Sequence, residues 1–472
     1  MSLVTPVPVA PRAVGQLTPV IGAERRDRLT EAAGQFRRQL RDRTLWNVSS
    51  TAVGGGVAEM LHVLLGYVEG EGIASRWMVI TGDAEFFVIT KRLHNQIHGQ
   101  VAGGPLTAAQ ISHYEHMLAA NAAELLELIR PGDLVLLHDP QTAGLAEPLA
   151  RAGALVAWRC HIGVDWQNEV TAGAWNVLRR YLAHADGFVF SRREYVPAWI
   201  PGEKVTIIPP SIDPFSPKNQ HLGDETVQGI LARIGVLGGT APGGPAAFIG
   251  RDGSEESVTR PAEITAEELP GPDDQLVIQV SRWDQLKDMA GVMRGFADYV
   301  ATAGPGVLLL VGPAVAGVAD DPEGAAVFAH CLLQWRALPA LVRARVMLVT
   351  LPLDDADENA AMVNALQRHA SVIVQKSLAE GFGLTVAEGM WKGRPVVGSA
   401  VGGIIDQIPA GAGVLLADPR DLAAFGSQVR WLLDEPGTAA AMGAAAEAFI
   451  SENYVGDLHL LRYGRMFSAM LR

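Results

Sequence analysis

Strand-like and helix-like segments alternate along most of this chain, and this alternation restricts its fold more than any other feature. Short runs rich in Val, Ile and Leu, such as WMVIT from Trp77 and VLLLVG from Val307, are separated by stretches with helical periodicity. Repeated β–α units of this kind predict parallel sheets covered by helices on both faces. Because 472 residues exceed what one hydrophobic core usually serves, we predict two doubly wound α/β domains.

Composition excludes several functional classes. The net charge of -13, with 51 acidic and 38 basic side chains, argues against a nucleic-acid partner. The only two cysteines, Cys160 and Cys331, provide no disulfide framework, so a reducing cytoplasm is expected. The N-terminus is interrupted by prolines and lacks the apolar core of a signal peptide, and no run reaches transmembrane length. We therefore expect no membrane association.

Changes in composition divide the chain into segments. Residues 1–43 are predicted to form a proline-rich extension followed by an amphipathic helix over Glu24–Arg43. The two α/β domains are then assigned to residues 44–213 and 214–453, and residues 454–472 to a last helix. Within the second domain, residues 229–274 are rich in Gly, Pro and Glu, which predicts a partly ordered insertion.

The stretch from Gln375 to Gly398 combines a strand end, a glycine turn and a helix with two glutamates. If the helix begins near Leu384, Glu380 lies in the preceding loop and Glu388 lies about one turn in, so both carboxylates can face one ligand. The unpaired N–H groups of the first helical turn suit a phosphate. This pattern predicts a nucleotide-sugar site, and the alternative is a solvated helix start, where acidic residues are favoured anyway.

A second set of polar residues follows the strand QLVIQV, where Ser281 and Arg282 are followed by Lys287. Ligands of doubly wound sheets collect at the carboxyl ends of the strands. Arg matches phosphate oxygens with its planar fork, and Lys supplies a compact charge. We therefore predict phosphate contacts here, the alternative being ordinary charges of a surface loop.

Seven separated stretches resemble, in order, the trehalose synthases that use nucleotide-activated glucose, within the retaining GT-B glycosyltransferases of family 4. The stretches are WNVSSTAVGGGVAEML, EFFVITKRLHN, HDPQTAGL, WRCHIG, IIPPSIDP, VSRWDQLKD and VQKSLAEGFGLTVAEGMWKGRPVVGSAVGGI. The resemblance implies two Rossmann-like domains facing across a cleft. It assigns the acceptor to the first domain and the nucleotide-sugar to the second, with residues 454–472 crossing back to the first.

The resemblance also implies roles for individual residues. The implied catalytic residues are Glu380, Arg282, Lys287 and His161. The implied donor-binding residues are Gly55, Gly56, Ser281, Arg282, Lys287, Glu380, Gly381, Phe382, Gly383, Leu384, Thr385 and Glu388. The implied acceptor-binding residues are Gly54, Lys91, His138, Asp139, Gln141 and Asp165.

The expected activity is transfer of glucose from ADP- or UDP-glucose to glucose with retention, which forms α,α-trehalose. We expect no cofactor and no metal requirement, because His138-Asp139 and Asp354-Asp355 lack partner ligands at suitable spacing. Residues 354–359 are interpreted as a solvated loop and helix start. Three alternative functions stay open: a trehalose phosphorylase, a related glycosyltransferase with another acceptor, and a non-catalytic sugar-binding protein. A homodimeric assembly is also possible.

Overall fold

The computed structural model describes residues 2–52, 55–101, 103–239, 244–302, 304–315 and 322–472. The chain divides into two compact units, one comprising Met1–Ser211 with Tyr454–Arg472 and the other Ile212–Asn453. Each unit contains its own seven-stranded sheet. The predicted pair of Rossmann-like α/β domains is confirmed. Among the described residues, no helix combines the length and the apolar character that crossing a membrane requires.

The sheet of unit 1 has the strand order β1-β3-β2-β4-β5-β6-β7. Its strands are β1 (Val4–Pro6), β2 (Leu45–Ser49), β3 (Ser75–Ile80), β4 (Leu134–His138), β5 (Leu155–Cys160), β6 (Gly187–Phe190) and β7 (Val205–Ile207). All neighbouring strands pair in parallel except β1, which runs antiparallel to β3. The sequence did not predict β1, because prolines interrupt the N-terminal segment.

Helices of unit 1 follow its strands in the expected alternation. Those before Ser211 are α1 (Thr18–Leu40), α2 (Gly55–Gly70), α3 (Ala84–Ile97), α4 (Ala108–Leu128), α5 (Asp139–Thr142), α6 (Ala146–Arg151) and α7 (Glu169–Leu182). The first helix is interrupted at Gly22, whose φ is 75°, and it ends at Leu40 because Arg41 takes a φ of 53°. The predicted end at Arg43 is therefore wrong by three residues.

Unit 2 has the strand order β10-β13-β12-β11-β14-β15-β16 and a separate β8–β9 hairpin. Its strands are β8 (Ala247–Ile249), β9 (Glu255–Ser257), β10 (Glu263–Thr265), β11 (Leu276–Val280), β12 (Val307–Pro313), β13 (Val346–Leu351), β14 (Val372–Gln375), β15 (Val396–Ser399) and β16 (Val414–Leu416). Its helices are α8 (Asp224–Arg233), α9 (Met289–Tyr299), α10 (Pro322–Ala337), α11 (Ala340–Arg343), α12 (Ala356–His369), α13 (Leu384–Trp391), α14 (Ile404–Gln407), α15 (Leu422–Asp434) and α16 (Pro436–Asn453). The central strands are buried along almost their whole length, as parallel strands covered on both faces must be.

Much of the segment 229–274 is tied to unit 2 by backbone and side-chain contacts, although residues 240–243 lie outside the described part. Strand β10 pairs antiparallel with β13, and the Glu358 carboxylate accepts the backbone N–H of Arg260 at 2.8 Å and pairs with its guanidinium. Glu358 is 3% exposed. The interpretation of residues 354–359 as solvated is therefore wrong for Glu358, whereas Asp355 does cap the start of α12.

The last helix, α17 (Gly456–Met470), belongs to unit 1 and packs against α1. Its Asp457 is fully buried and accepts two hydrogen bonds from the Arg25 guanidinium, at 2.9 and 2.8 Å. Further along, the rings of Phe36 and Phe467 stack with centroids 6.1 Å apart. The two helices therefore run in the same direction, with an ion pair near one end and aromatic packing near the other.

Candidate active site

In unit 2, two predicted site segments leave neighbouring strands at the same edge of the sheet. Strands β11 and β14 pair in parallel, so the loops that follow them start side by side. Lys287 Nζ lies 2.5 Å from Glu380 Oε2, and Ser377 Oγ donates to the same oxygen at 3.2 Å. Both charged side chains are largely buried. The structure thus brings together two of the residues that the sequence predicted for the catalytic step.

Arg282 follows β11 and lies near Lys287 in the sequence, but its side chain is held much more loosely. Its side chain is 66% exposed, and its Nη2 lies 3.4 Å from Asp284 Oδ2. Exposed contacts of this length contribute little free energy. The guanidinium can therefore reorient towards an anionic ligand at small cost. Ser281, just before it, continues the strand ladder through its N–H to Val311 O at 3.0 Å.

Helix α13 begins at Leu384, as predicted. Gly383 precedes it with a φ of 84°, and a Cβ there would lie 3.1 Å from Ile404 and 3.2 Å from Glu380, so only glycine fits. Among the described residues, no side chain caps this terminus. The first N–H groups, those of Leu384 and Thr385, have no acceptor within the helix and can bind an anion.

The residues around that turn mainly hold its backbone in place through hydrogen bonds. Phe382 is buried, and its carbonyl accepts a hydrogen bond from Gln407 Nε2. Thr385 Oγ1 donates to Gln375 Oε1 at 3.0 Å, which fixes its hydroxyl at the end of β14. Gly381 accepts the N–H of Gly403 at 3.1 Å. Hydrogen bonds to the end of β14 on one side and to Gly403 and Gln407 on the other therefore hold the turn in place.

Glu388 lies one turn into α13 and is only 6% exposed. Its Oε1 is 3.7 Å from Lys218 Nζ, and its buried Oε2 has no hydrogen-bond partner among the described residues. Beneath it, Lys392 Nζ donates to Asn219 Oδ1 at 3.0 Å and to Glu388 O at 3.1 Å, and burial lowers the pKa of Lys392 to about 7. A buried carboxylate oxygen with a free lone pair suits a hydroxyl donor.

Lys376 is a further buried cation that the sequence analysis missed. It follows β14 directly, forms an ion pair with Asp288 and donates to Pro419 O at 2.7 Å. Asp288 in turn caps α9, with a φ of 49°. A lysine immediately after a buried parallel strand was the available signal, since the carboxyl ends of such strands hold the ligands.

In unit 1, His138 ends strand β4, His161 follows the neighbouring strand β5, and the two form a directed hydrogen-bond chain. Arg159 Nε can only donate, and it lies 3.1 Å from His161 Nδ1. The proton of neutral His161 is therefore on Nε2, which donates to His138 Nδ1 at 3.1 Å. His138 Nε2 then donates to Asn47 Oδ1 at 3.2 Å. Both ring nitrogens of each histidine are engaged within the unit.

The electrostatics keep both histidines neutral. Burial, followed by the nearby Arg159 charge, lowers the pKa of His138 to about 3 and that of His161 well below its usual range. Arg159 is itself held by Tyr463 OH at 2.7 Å and by Ile208 O at 3.0 Å. These contacts leave neither imidazole free to take a proton in this arrangement.

Asp139, the first residue of α5, has the unusual φ of 62°. Its Oδ1 accepts the backbone N–H of His161 at 2.8 Å, which joins the ends of β4 and β5. Burial raises the pKa of its carboxyl to about 6, although this hydrogen bond acts in the opposite direction. Asp139 is thus a buried acid whose charge the protein disfavours.

The remaining described residues that were predicted in unit 1 belong to several different elements. Asp165 forms an ion pair with Arg192, and Gln141 Oε1 is buried without a partner among the described residues. Lys91 is exposed on α3. Gly55 and Gly56 open α2, whereas Gly54 lies outside the described residues. The sugar contacts assigned to these residues stay predictions.

Within the described part of the chain, no three His, Cys, Asp or Glu side chains come together as they would around a metal ion. This observation does not test the expectation that His138-Asp139 and Asp354-Asp355 bind no metal ion.

Comparison with known proteins identifies the family. A family profile described as "Trehalose synthase, N-terminal domain" matches residues 47–197, and one described as "Glycosyl transferases group 1" matches residues 357–449. The trehalose synthase of Pyrococcus horikoshii is 34% identical over 445 residues, which cover 94% of this chain and 93% of that protein. This chain belongs to the trehalose synthase family.

More distant similarities include a curated enzyme and solved structures of the same fold. A trehalose phosphorylase of Grifola frondosa is 24% identical over 425 residues, which cover 86% of this chain and 54% of that protein. The solved α,α-trehalose-phosphate synthase (UDP-forming) of Burkholderia vietnamiensis superposes with a TM-score of 0.66 at 16% identity, covering 91% of this chain and 98% of that one. The fold is GT-B, and the chain is a trehalose-related glycosyltransferase, as the sequence predicted.

Proposed function

We propose that this trehalose synthase family member transfers glucose from ADP- or UDP-glucose to free glucose with retention of configuration, forming α,α-trehalose. The observation that carries the proposal is the Lys287–Glu380 pair beside the uncapped N-terminus of α13. A cation, a carboxylate and free backbone N–H groups at one sheet edge are the groups that a glucosyl diphosphate requires.

In this proposal each group of unit 2 has one task. The N–H groups of Leu384 and Thr385, with Arg282 and Lys287, bind the diphosphate, whose charge grows as it leaves. Glu380 accepts hydroxyls of the donor glucose, and Glu388 accepts hydroxyls of the ribose through its free Oε2. The buried position of Glu388 supports the ribose role, because a hydrogen-bonding ligand would satisfy an otherwise unpaired carboxylate oxygen.

Retention follows from attack on the face that the leaving group vacates. The bond between C1 of glucose and the phosphate oxygen breaks, the acceptor oxygen bonds to C1, and the acceptor proton passes to the departing phosphate oxygen. The engagement of both ring nitrogens of His138 and His161 supports this route, since neither imidazole is available as a base. We assign His161, which is joined to Asp139 by a hydrogen bond, to contact with the sugar and not to proton transfer.

The direct test is incubation with a panel of nucleoside diphosphate glucoses and free sugars, followed by identification of the product and its anomeric configuration. We expect α,α-trehalose from one of the adenine or uracil donors and glucose. A product with the inverted configuration, or no transfer from any donor, would contradict the proposal.

The similarity to a trehalose phosphorylase supports a second candidate. In that reaction inorganic phosphate occupies the place of the leaving diphosphate, and the same cations bind it. Trehalose and phosphate would then release glucose 1-phosphate without a nucleotide. Formation of glucose 1-phosphate from those two substrates decides for this candidate, and its absence decides against it.

A further inference from the structure

A cavity of about 430 Å³ lies within unit 1, bounded by α1, α2, α17 and the sheet. Its walls are largely apolar and include Leu29, Phe36, Leu61, Leu64, Leu65 and Phe467. The exposed charged residues of its lining, such as Arg28, Glu31 and Arg465, belong to its opening. Small-molecule sites in proteins typically measure about 300–1,000 Å³ and combine apolar walls with a few placed polar groups.

One placed polar group of this cavity is the carboxamide of Asn47, which is 3% exposed. The hydrogen-bond chain from Arg159 through both histidines fixes its orientation, because His138 Nε2 must donate and Asn47 must therefore present Oδ1 to it. The opposite atom, Nδ2, is buried and has no acceptor among the described residues. A buried donor without an acceptor is unfavourable unless a ligand supplies one.

We propose that this cavity binds a small, largely apolar molecule that carries one hydrogen-bond acceptor, which accepts from Asn47 Nδ2. Its lining is mainly aliphatic and aromatic, so a molecule with a single acceptor fits it better than a free sugar with several hydroxyls. The described lining of the cavity belongs to unit 1 alone, and its occupation does not depend on the proposed reaction.

Prodan, a fluorescent naphthalene with one ketone, is a suitable probe, because its emission shifts to shorter wavelength in apolar surroundings. Titration of the full-length protein should give saturable binding of one probe per chain. An analogue with a propyl chain in place of the propionyl group should bind about three- to tenfold more weakly, since it lacks the acceptor. Equal binding of the two compounds would overturn the assignment of Asn47.

A variant of α17 locates the site. Gly464 lines the cavity together with its α17 neighbours Leu461 and Phe467. A Cβ at Gly464 would meet no atom within 4 Å. Gly464→Leu should therefore fill the cavity without a backbone clash and weaken prodan binding by about tenfold or more. Its melting temperature should not fall, because leucine is a better helix former than glycine.

Gly173→Leu is the matched control, because Gly173 lies in the interior of α7 and its Cβ also meets no atom within 4 Å, but it does not line the cavity. It should bind prodan like the unaltered protein. Absence of saturable binding by the unaltered protein, or unchanged binding by folded Gly464→Leu, would overturn the proposal. Should Gly464→Leu fail to fold, the pair of probes on the unaltered protein decides.

Discussion

Arg282 and Lys287 follow the same strand but differ in how tightly the protein holds them. Lys287 is buried against Glu380, so its substitution would change both the ligand site and the stability of the loop. Arg282 is exposed and makes a weak contact with Asp284. The two residues therefore offer different information when they are changed.

Arg282→Ala should lower kcat by about 10²–10³-fold, if the guanidinium stabilises the charge that develops on the diphosphate. The melting temperature should stay unchanged, because an exposed pair contributes little. Steady-state kinetics and thermal unfolding of the purified variant provide the two measurements. Arg420→Ala, also exposed in unit 2, is the control and should leave kcat unchanged. A normal kcat for Arg282→Ala would remove this residue from the site.

Asp139 gives a prediction with a pH dependence. Its folded pKa of about 6 lies above the ordinary value of 3.8, so the fold favours the protonated acid. The stability that the protonated Asp139 carboxyl contributes is fully present below pH 3.8 and is lost as the pH rises through about 6. Asp139→Asn keeps a neutral acceptor for the His161 N–H and tolerates the φ of 62°.

The Asp139→Asn variant should therefore melt at a higher temperature than the unaltered protein at pH 8, with a smaller difference at pH 5. Thermal unfolding at the two pH values measures this. If Asp139 also contacts the acceptor, the variant should show a raised acceptor KM. A variant that is less stable than the unaltered protein at pH 8 would show that the buried charge is favourable.

Several residues of the candidate site could not be predicted, because their partners are distant in the sequence. Asn47 and His138 are 91 positions apart, and Arg159 and Tyr463 are 304 positions apart. No local pattern distinguishes such residues from ordinary strand and helix positions. Leu384 was predicted as a helix start because the signal, a glycine followed by apolar periodicity, is local.

At the scale of secondary-structure elements, the contacts that join α1 and α17 include a buried ion pair, an aromatic contact and apolar packing. Arg25 and Asp457 lie at the start of the shared interface, and Asp457 is fully buried. Asp457 occupies the first turn of α17, where a carboxylate is also favoured by the helix dipole. The ion pair therefore sets the position of α17 against the helix that precedes the first parallel strand.

Arg25→Ala should destabilise unit 1 by about 3 kcal/mol, because it leaves the buried Asp457 carboxylate without its main partner. Denaturant unfolding of the variant measures the change. Glu24→Ala removes the exposed partner of Arg28 on the same helix and should cost less than about 0.5 kcal/mol. Equal effects of the two substitutions would indicate that the buried pair has no special importance.

The alternation of strands and helices was predictable because apolar periodicity is set by local sequence. The antiparallel strands β1 and β10 were not, since each has three residues and acquires its conformation only by pairing with a longer strand. Partners that are distant in the sequence also explain why Glu358 was interpreted as part of a solvated helix start. Its partners Thr259 and Arg260 are about 100 positions earlier in the chain.

At the scale of the whole molecule, the proposed reaction requires positive charge around the leaving diphosphate. We predict that activity survives a strong chelator, because Arg282, Lys287 and the N-terminus of α13 supply the positive charge. Product formation with and without EDTA measures this. Loss of activity with EDTA and its recovery on addition of one divalent ion would show that a metal is required.

The strand β1 forms one edge of the unit 1 sheet and covers the longer strand β3. Strand β3 has six residues, and without β1 its backbone N–H and C=O groups would form an open edge on which another chain could assemble. The replacement edge has three residues and ends in Pro6, which cannot donate a hydrogen bond. Removal of residues 1–6 should therefore increase aggregation, as light scattering at high concentration would detect. In unit 2, β10 covers the six-residue β13 in the same way, so a short antiparallel strand blocks intermolecular sheet growth on one side of each sheet.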